Sequence, residues 1–191
     1  MTTFGFIRHG TTDWNMEGRL QGQNNIPLNE AGRFQALLLG ERLRDERWDL
    51  IVSSDLLRAS ETAGIIAAMT GAGPVRLEAR LRERTHGRLD GTTLEERIAC
   101  WGEGWKQLDH GVESNEALFA RGSACLAELE SEYAGKRILI VSHGAFIAVL
   151  IEGLLKHMPE GSLRNTSISV LEKAESSWTC PLFNSTTHLP Q

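Results

Sequence analysis

The most constraining feature of this sequence is a short apolar run that ends in a cation, an imidazole and a glycine. Residues 4–7 have the composition of a buried strand, and Arg8, His9 and Gly10 follow immediately. In an open α/β sheet, ligands bind in the crevice beyond the carboxyl ends of the strands. Arginine presents a planar fork to phosphate oxygens, and histidine serves as a nucleophile or a base. The run therefore predicts a strand that delivers reactive groups to a ligand site.

Three further segments repeat this pattern. The apolar residues 50–52 lead into a stretch that ends at Arg58, and a third strand predicted within residues 74–81 is followed by Glu83 between two arginines. The clearest buried strand, residues 138–141, leads into Ser142, His143 and Gly144. The carboxyl ends of parallel strands share one edge, so we expect these side chains to converge on a single pocket.

Amphipathic helical patterns alternate with these strands. The predicted N-caps are Asn29, Asp55, Thr93 (with a capping box) and Ser114, and Gly71 or Gly73 should end the second helix. The predicted inner stripes are Ala36, Leu39, Gly40 and Leu43; then Leu56, Ala59, Ala63, Ile66 and Ala67; then Leu118, Gly122, Cys125, Leu126 and Leu129. The helix begun by Thr93 is predicted to contain both Trp101 and Trp105, another helix should cover residues 146–155, and residues 167–171 and 177–182 should form a hairpin.

This alternation predicts an α/β fold: a three-layer sandwich with a mostly parallel sheet and helices on both faces. Residues 1–191 are expected to form one domain, and residues 84–116, which break the alternation, are expected to be a small inserted helical cap.

Charge and cysteine content restrict the function further. The formal net charge of −5 argues against a nucleic-acid or anionic-membrane partner, so an anion site must be built locally. No apolar run is long enough to span a bilayer, and Arg8 and His9 come too early for a signal peptide. The three cysteines have no C-x-x-C spacing and suit a reducing compartment, so a cytoplasmic location is expected.

Neither a phosphate-binding loop nor a dinucleotide motif is present, and no H-E-x-x-H spacing suggests a metal, so we expect no metal and no cofactor.

The sequence resembles the histidine phosphatase superfamily, the phosphoglycerate-mutase-like group. The resemblance rests on motifs in the same order over nearly the whole chain: residues 8–15 (RHGTTDWN), 18–22 (GRLQG), 27–32 (PLNEAG), 53–63 (SSDLLRASETA), 81–83 (LRE), 141–144 (VSHG) and 184–189 (NSTTHL).

The resemblance implies roles for nine residues. His9 would be the nucleophile that carries the phosphoryl group, and Glu83 would be the acid and base. Arg8, Arg58 and a protonated His143 would surround the transferring group. The remaining phosphate-pocket positions match Thr12, Asn15, Gln21 and Gly22.

Several alternatives stay open from the residues alone. In one alternative, Arg58 has no role in the site and only balances the negative charges of Asp55 and Glu61. In another, Glu83 only forms an ordinary ion pair with a neighbouring arginine. His86 is a rival for the acid or a substrate contact. The other histidines, namely His110, His157 and His188, are expected to be surface or structural residues.

The favoured function is hydrolysis of a small phosphorylated metabolite by a metal-independent phosphatase. The alternatives are a cofactor-dependent phosphoglycerate mutase, an α-ribazole-phosphate phosphatase and a non-enzymatic phospho-ligand binding protein. The predicted cap is net acidic, which suits a substrate with one phosphate better than a retained bisphosphate. Its two tryptophans, Trp101 and Trp105, either contact substrate or form the core of the cap. Oligomeric state is not encoded in any pattern of the chain.

Overall fold

The computed structural model describes residues 2–157, 159, 161–174 and 177–190. A central sheet has the strand order β3-β2-β4-β1-β5-β6, in which β3, β2, β4 and β1 are parallel and β5 and β6 are antiparallel to their neighbours. The strands are β1 (Thr3–Arg8), β2 (Leu50–Ser53), β3 (Arg76–Leu77), β4 (Arg137–Ser142), β5 (Ile168–Ala174) and β6 (Ser177–Ser185). The predicted mostly parallel α/β sheet is confirmed.

Helices cover both faces of this sheet. They are α1 (Asp13–Met16), α2 (Glu30–Leu43), α3 (Leu57–Thr70), α4 (Leu94–Trp101), α5 (Asn115–Glu132) and α6 (Gly144–Leu155), with 3-10 helices at Ala79–Leu81, Gly87–Leu89 and Glu103–Gln107. One core joins α5 and α6 to the sheet, and a second core joins α2 and α3 to the opposite face. The three-layer arrangement predicted from the sequence is confirmed.

The two cores follow from the alternation of side chains along the central strands. On β1, Phe4 and Phe6 pack into the core with α5 and α6, whereas Ile7 packs into the core with α2 and α3. On β4, Ile140 and Val141 divide between the two cores in the same way. Each fully buried side chain of this kind contributes roughly 1.5–3 kcal/mol. Because both faces are buried, the strands appear in the sequence as continuous apolar runs.

The register of β1 against β4 determines where the functional groups meet. Arg8 at the end of β1 is paired with Ser142 at the end of β4, so His9 and His143 leave the sheet side by side. The backbone N–H of His9 donates to the carbonyl of Ser142 over 2.9 Å. The strand ends therefore form one edge, as the sequence predicts.

Most predicted helix ends are also confirmed. The side chains of Asn29, Thr93 and Ser114 each accept a hydrogen bond from the first turn of α2, α4 and α5, and Thr93 forms the predicted capping box with Glu96. Gly71 ends α3 in the left-handed conformation at φ 67°. The predicted stripes are buried except for Ala67, which is half-buried.

The third predicted strand is confirmed within residues 74–81, although it covers only Arg76–Leu77 before the chain turns into a 3-10 helix. Two local predictions are wrong. Asp55 does not cap α3, because its carboxylate accepts two hydrogen bonds from the guanidinium of Arg82, at 2.7 and 2.5 Å, and the cap position falls on Leu56. Trp105 lies outside α4, which ends at Trp101 because Gly102 adopts φ 73°.

The last two strands form the predicted hairpin, and residues 175 and 176 of its turn lie outside the described residues. The helical segments between residues 84 and 116 are α4 and two short 3-10 helices. None of the helices in the described part of the chain has the length and apolar character that crossing a membrane requires.

Candidate active site

A cavity of about 500 Å³ opens at the carboxyl edge of the parallel strands. Its wall includes seven of the nine site residues predicted from the sequence: Arg8, His9, Asn15, Gln21, Gly22, Arg58 and Glu83. The rival candidate His86 also lines it. Four separate stretches of the chain thus meet at one site, as parallel strands of a single sheet allow.

His9 is buried at the floor of this cavity, 3% exposed. Its Nδ1 lies 2.7 Å from the carbonyl oxygen of Gly10, and since a carbonyl only accepts, Nδ1 carries the proton and donates. Burial, together with the charges of Arg58 and Arg8, lowers the pKa of His9 well below its usual value. The ring is therefore neutral, and Nε2 keeps a free electron pair.

Arg58 provides the cation nearest to that electron pair. Its Nε donates to Nε2 of His9 over 3.3 Å, and its terminal nitrogens donate to the carbonyls of Asn24 and Gly22, each over 2.8 Å. Arg58 is completely buried, and burial lowers the pKa of its guanidinium to about 10, which leaves it charged at neutral pH. The proposed pairing with Asp55 or Glu61 is absent, because Asp55 binds Arg82 and Glu61 binds Arg33.

Arg8 is the second cation of the cavity. One terminal nitrogen donates to the carbonyl of Leu163 over 2.6 Å, and the side chain passes close to Gly144 at the start of α6. Burial lowers the pKa of Arg8, partly offset by the negative charge of Glu83. Two guanidiniums of fixed orientation therefore face the space beside the His9 imidazole.

His143 lies directly behind His9. The two ring centroids are 5.3 Å apart, and Nε2 of His143 is 2.8 Å from the hydroxyl oxygen of Ser54. Burial, then the charges of Arg58 and its neighbours, lowers the pKa of His143 well below its usual value. The expectation of a protonated His143 is wrong for this arrangement, because the nearby cations disfavour a further positive charge. His143 has no exposed surface and does not form part of the cavity wall.

Glu83 is held by backbone N–H groups. Oε2 accepts from Ala145 over 3.1 Å, and Oε1 accepts from Phe146 over 3.0 Å and from Arg84 over 2.8 Å. The first two donors belong to the N-terminus of α6, which favours an anion. The alternative of an ordinary ion pair with Arg82 or Arg84 is not supported, since no salt bridge between Glu83 and either arginine is found among the described residues.

Thr12 does not line the cavity. It is completely buried at the N-cap of α1, where its hydroxyl accepts from the backbone N–H of Asn15 over 3.2 Å. Asn15, in turn, accepts from the backbone N–H of Thr12 through its side-chain oxygen over 3.1 Å. Thr12 therefore orients Asn15, which does form part of the wall.

His86 lines the cavity, whereas His110 and the two tryptophans of residues 84–116 lie elsewhere. His86 is oriented by Asp90, whose Oδ1 is 3.1 Å from Nδ1 of the ring. Trp101 and Trp105 pack around the buried His110, with ring centroids 5.0 and 6.3 Å away, and neither lines the cavity. Both tryptophans are half-buried and pack within this segment, which favours the second of the two alternatives open from the sequence.

Four supporting residues were not singled out from the sequence. Ser54 contacts His143; Thr62 accepts from the backbone N–H of Gly10 over 3.0 Å; Asn165 donates to the carbonyl of His9 over 2.9 Å; and Arg121 donates to the carbonyl of Glu83 over 3.3 Å. Ser54 and Thr62 lie within the motif of residues 53–63. Asn165 and Arg121 carry no local signal, since only the fold brings them to the site. Within the described residues, no cluster of three metal-ligating side chains is present.

Solved structures similar to this one include two phosphatases. The mycobacterial glucosyl-3-phosphoglycerate phosphatase, solved with VO3, matches with a TM-score of 0.86 and 33% identity over 96% of this chain and 99% of that chain. The phosphoserine phosphatase of Entamoeba histolytica, solved with phosphoserine, matches with a TM-score of 0.84 and 31% identity over 100% of both chains.

Sequence relatives carry both phosphatase and mutase names. The chain is 36% identical to the uncharacterized phosphatase PhoE of Bacillus subtilis, over 99% of this chain and 97% of that protein. It is 38% identical to the probable phosphoglycerate mutase GpmB of Salmonella choleraesuis, over 90% of this chain and 85% of that protein. The model of the histidine phosphatase superfamily (branch 1) matches residues 4–186, and the protein belongs to that superfamily.

Proposed function

We propose that the protein is a phosphatase that hydrolyses a small phosphate monoester through a phosphohistidine on His9. The observation that carries this proposal is the state of His9. Its imidazole is neutral and fixed through Nδ1, and its Nε2 electron pair lies beside the buried guanidinium of Arg58 and the half-buried guanidinium of Arg8. A phosphate monoester brings nearly two negative charges, which Arg8 and Arg58 balance without protonating the nucleophile.

The first half-reaction forms one bond and breaks another. Nε2 of His9 attacks phosphorus in line with the ester oxygen, and the bond between phosphorus and that oxygen breaks. Glu83, in its protonated form, gives its proton to the departing oxygen as the alcohol leaves. Arg8 and Arg58 flank the transferring group, Asn15, Gln21 and Gly22 line the rest of the phosphate pocket, and His143 packs against His9 outside the cavity wall.

The second half-reaction reverses these roles. Water attacks phosphorus, Glu83 accepts a proton from it, and the bond between phosphorus and Nε2 breaks, which releases inorganic phosphate and the neutral imidazole. The backbone hydrogen bonds from Ala145 and Phe146 keep the Glu83 carboxyl at the edge of the cavity, where both proton transfers take place. No metal ion or cofactor takes part in this scheme.

Arg19 lines the cavity and is already paired with a carboxylate, which favours hydrolysis over mutase chemistry. Its guanidinium donates to Glu96 over 2.6 and 3.0 Å. A mutase must retain a bisphosphorylated intermediate, which calls for unpaired positive charge near the entrance. The name of the GpmB relative makes phosphoglycerate mutase the principal competing function. Hydrolysis of α-ribazole phosphate and binding of a phosphorylated ligand without turnover are two weaker candidates.

Two phosphorylated acids are natural first substrates to try. Structural neighbours are named for glucosyl-3-phosphoglycerate and phosphoserine, and a cavity of about 500 Å³ is of the size that binds small molecules. We further propose that residues 84–116 are a cap on a single domain, and that the protein works in a reducing cytoplasm, which its three free cysteines support.

The deciding experiment measures hydrolysis of an aryl phosphate with and without a metal chelator. We expect steady turnover that the chelator does not reduce, and a loss of roughly 10⁴-fold or more in His9→Ala. His157→Ala is the matched control, because His157 is exposed and lies outside the cavity. A His9→Ala rate near that of the wild type would contradict the assignment of His9 as the nucleophile. Absence of turnover in the wild type would favour a phospho-ligand binding protein.

A second assay separates phosphatase from mutase. The protein is incubated with 3-phosphoglycerate and a trace of the 2,3-bisphosphate, and both released phosphate and 2-phosphoglycerate are measured. We expect phosphate release to dominate. Formation of 2-phosphoglycerate at a rate above that of hydrolysis would identify a mutase instead.

A further inference from the structure

One loop, residues 161–167, supports the candidate site from the side of β5. Gly161, Ser162 and Leu163 line the cavity. The carbonyl of Leu163 accepts the 2.6 Å hydrogen bond from the guanidinium of Arg8. The position of this carbonyl therefore sets the direction in which Arg8 points.

The same loop also fixes the main chain of the nucleophile. The carbonyl of His9 accepts from the side chain of Asn165 over 2.9 Å and from the backbone N–H of Thr166 over 3.3 Å. The N–H of Thr166 also donates to the carbonyl of Arg8 over 2.9 Å. Thr166 adopts φ 53°, which is strained for a β-branched residue and persists only where surrounding contacts hold it.

Asn184, in the C-terminal segment, provides the first of these contacts. Its side-chain oxygen accepts from the backbone N–H of Arg164 over 2.9 Å, and its side-chain nitrogen donates to the carbonyl of Ser162 over 2.8 Å. These two residues flank Leu163. One amide therefore holds the peptide unit whose carbonyl orients Arg8 and the peptide unit before it.

His188 provides the second contact. Its Nε2 lies 3.1 Å from the hydroxyl oxygen of Thr166, and that hydroxyl donates to the carbonyl of Asn165 over 2.8 Å. With the hydroxyl proton used in this way, Nε2–H of His188 is the donor to Thr166. His188 thus contacts the strained residue that holds the carbonyl of His9.

We propose that Asn184 and His188 are positioning residues of the active site, acting on Arg8 and His9 through the loop of residues 161–167. The proposal rests on the roles given above to Arg8 and His9. Asn184 acts on phosphate binding through Arg8, and His188 acts on the chemical step through the placement of His9. A small displacement of either group is costly, since about 1 Å of misplacement can reduce a rate about 100-fold.

Four variants of the full chain test this proposal. Asn184→Gly removes both side-chain hydrogen bonds, and glycine accepts φ 51° of that position without strain. His188→Ala removes the donor to Thr166, and His188→Gln restores an N–H donor. Thr187→Ala is the control, because Thr187 lies between the two residues, is exposed, and its side chain has no hydrogen bond among the described residues.

Each variant is measured for kcat and KM on an aryl phosphate, for competitive inhibition by inorganic phosphate, and for melting temperature. We expect Asn184→Gly to raise KM and the inhibition constant of phosphate by about 10-fold, the scale of one hydrogen bond. We expect His188→Ala to lower kcat by about 10-fold or more with little change in KM, and His188→Gln to recover most of that loss. Thr187→Ala should match the wild type.

Wild-type kcat, KM and phosphate inhibition in both folded Asn184→Gly and folded His188→Ala would overturn the proposal. So would a loss of melting temperature with unchanged kinetics per folded molecule, which would show that the segment only stabilises the fold. If His188→Ala does not fold, Asn184→Gly decides by the same criteria. An active His9→Ala would instead contradict the proposed function, so the two failures are distinguishable.

Discussion

Arg58 and His9 are joined by a hydrogen bond in which the guanidinium Nε donates to the imidazole Nε2 over 3.3 Å. The bond orients the imidazole from the cavity side while the carbonyl of Gly10 orients it from behind. In the mechanism proposed above, an incoming phosphate would replace Nε2 as the partner of this donor and meet the electron pair that the donor had occupied. The contact between the two side chains would then become the attack geometry.

The first prediction concerns Arg58. Arg58→Ala removes the donor to His9 and frees the carbonyls of Gly22 and Asn24, so we expect kcat/KM to fall by roughly 100- to 1000-fold. Arg58→Lys keeps the positive charge but lacks the planar guanidinium with its several N–H donors, so its kcat/KM should lie between those of Arg58→Ala and the wild type. Arg33→Ala is the control, because Arg33 forms an exposed ion pair with Glu61. Steady-state kinetics of Arg58→Ala close to those of Arg33→Ala would refute the role of Arg58.

The second prediction concerns the charge of the nucleophile. Burial and the adjacent Arg58 and Arg8 lower the pKa of His9, so its ring should stay neutral as the pH falls below 6.5. We expect ¹⁵N NMR of the imidazole to show the Nδ1–H tautomer at pH 6 and pH 7.5 alike. A titration of His9 centred at or above pH 6.5 would be incompatible with this environment. The spectrum is taken without substrate, whose own ionisation near pH 6 would otherwise complicate an activity profile.

The third prediction compares two glycines with positive φ. A Cβ at Gly22 would overlap the carboxylate of Asp90, whereas a Cβ at Gly18 meets nothing, although their φ values are 48° and 65°. Gly18→Ala should cost about 1–2 kcal/mol of unfolding free energy from backbone strain alone. Gly22→Ala should cost more and should also reduce activity, since the carbonyl of Gly22 holds Arg58. Equal losses in urea unfolding and in activity for the two variants would contradict this.

The fourth prediction concerns stability at acid pH. Burial, then the charges of Arg42 and Arg164, lowers the pKa of His188 to about 4 from 6.5. The unfolded chain therefore binds a proton at this residue at a higher pH than the folded protein does. Its contribution to stability is complete above pH 6.5 and is lost as the pH falls toward about 4.

His188→Gln removes this titration while it leaves His9 and His143 in place. The unfolding free energy of the variant, measured in urea at pH 7 and pH 4.5, should therefore fall less than that of the wild type. A fall of equal size in the two proteins would mean that His188 is not protonated on unfolding in this range.

Much of the site is predictable from the sequence because its reactive side chains lie immediately after the apolar segments that form the strands. Arg8, His9 and His143 directly follow apolar runs that are buried on both faces, so their strands and their shared edge are predictable together. Arg58 is predictable because it lies in the first turn of α3, the helix that follows β2. These residues depend only on local pattern and on the rule that parallel strands share an edge.

The errors arise where a distant partner outcompetes a local one. Aspartate is a favoured N-cap residue, but the guanidinium of Arg82 donates two charge-assisted hydrogen bonds to the carboxylate of Asp55. The charge expected on His143 ignored the cost of burying a third cation beside Arg8 and Arg58. Asn165 and His188 could not be found from the sequence, because nothing near them in the chain indicates that they contact the loop around His9.

The pairing of β1 with β4 has a consequence for how the enzyme matures. His9 and His143 become neighbours only when β1 pairs with β4, which lies more than a hundred residues further along the chain. Pairing of strands so far apart in sequence is slow. The two imidazoles therefore cannot face one site until β4 has been synthesised and paired with β1. Regain of turnover after dilution from denaturant should thus report the formation of this pairing.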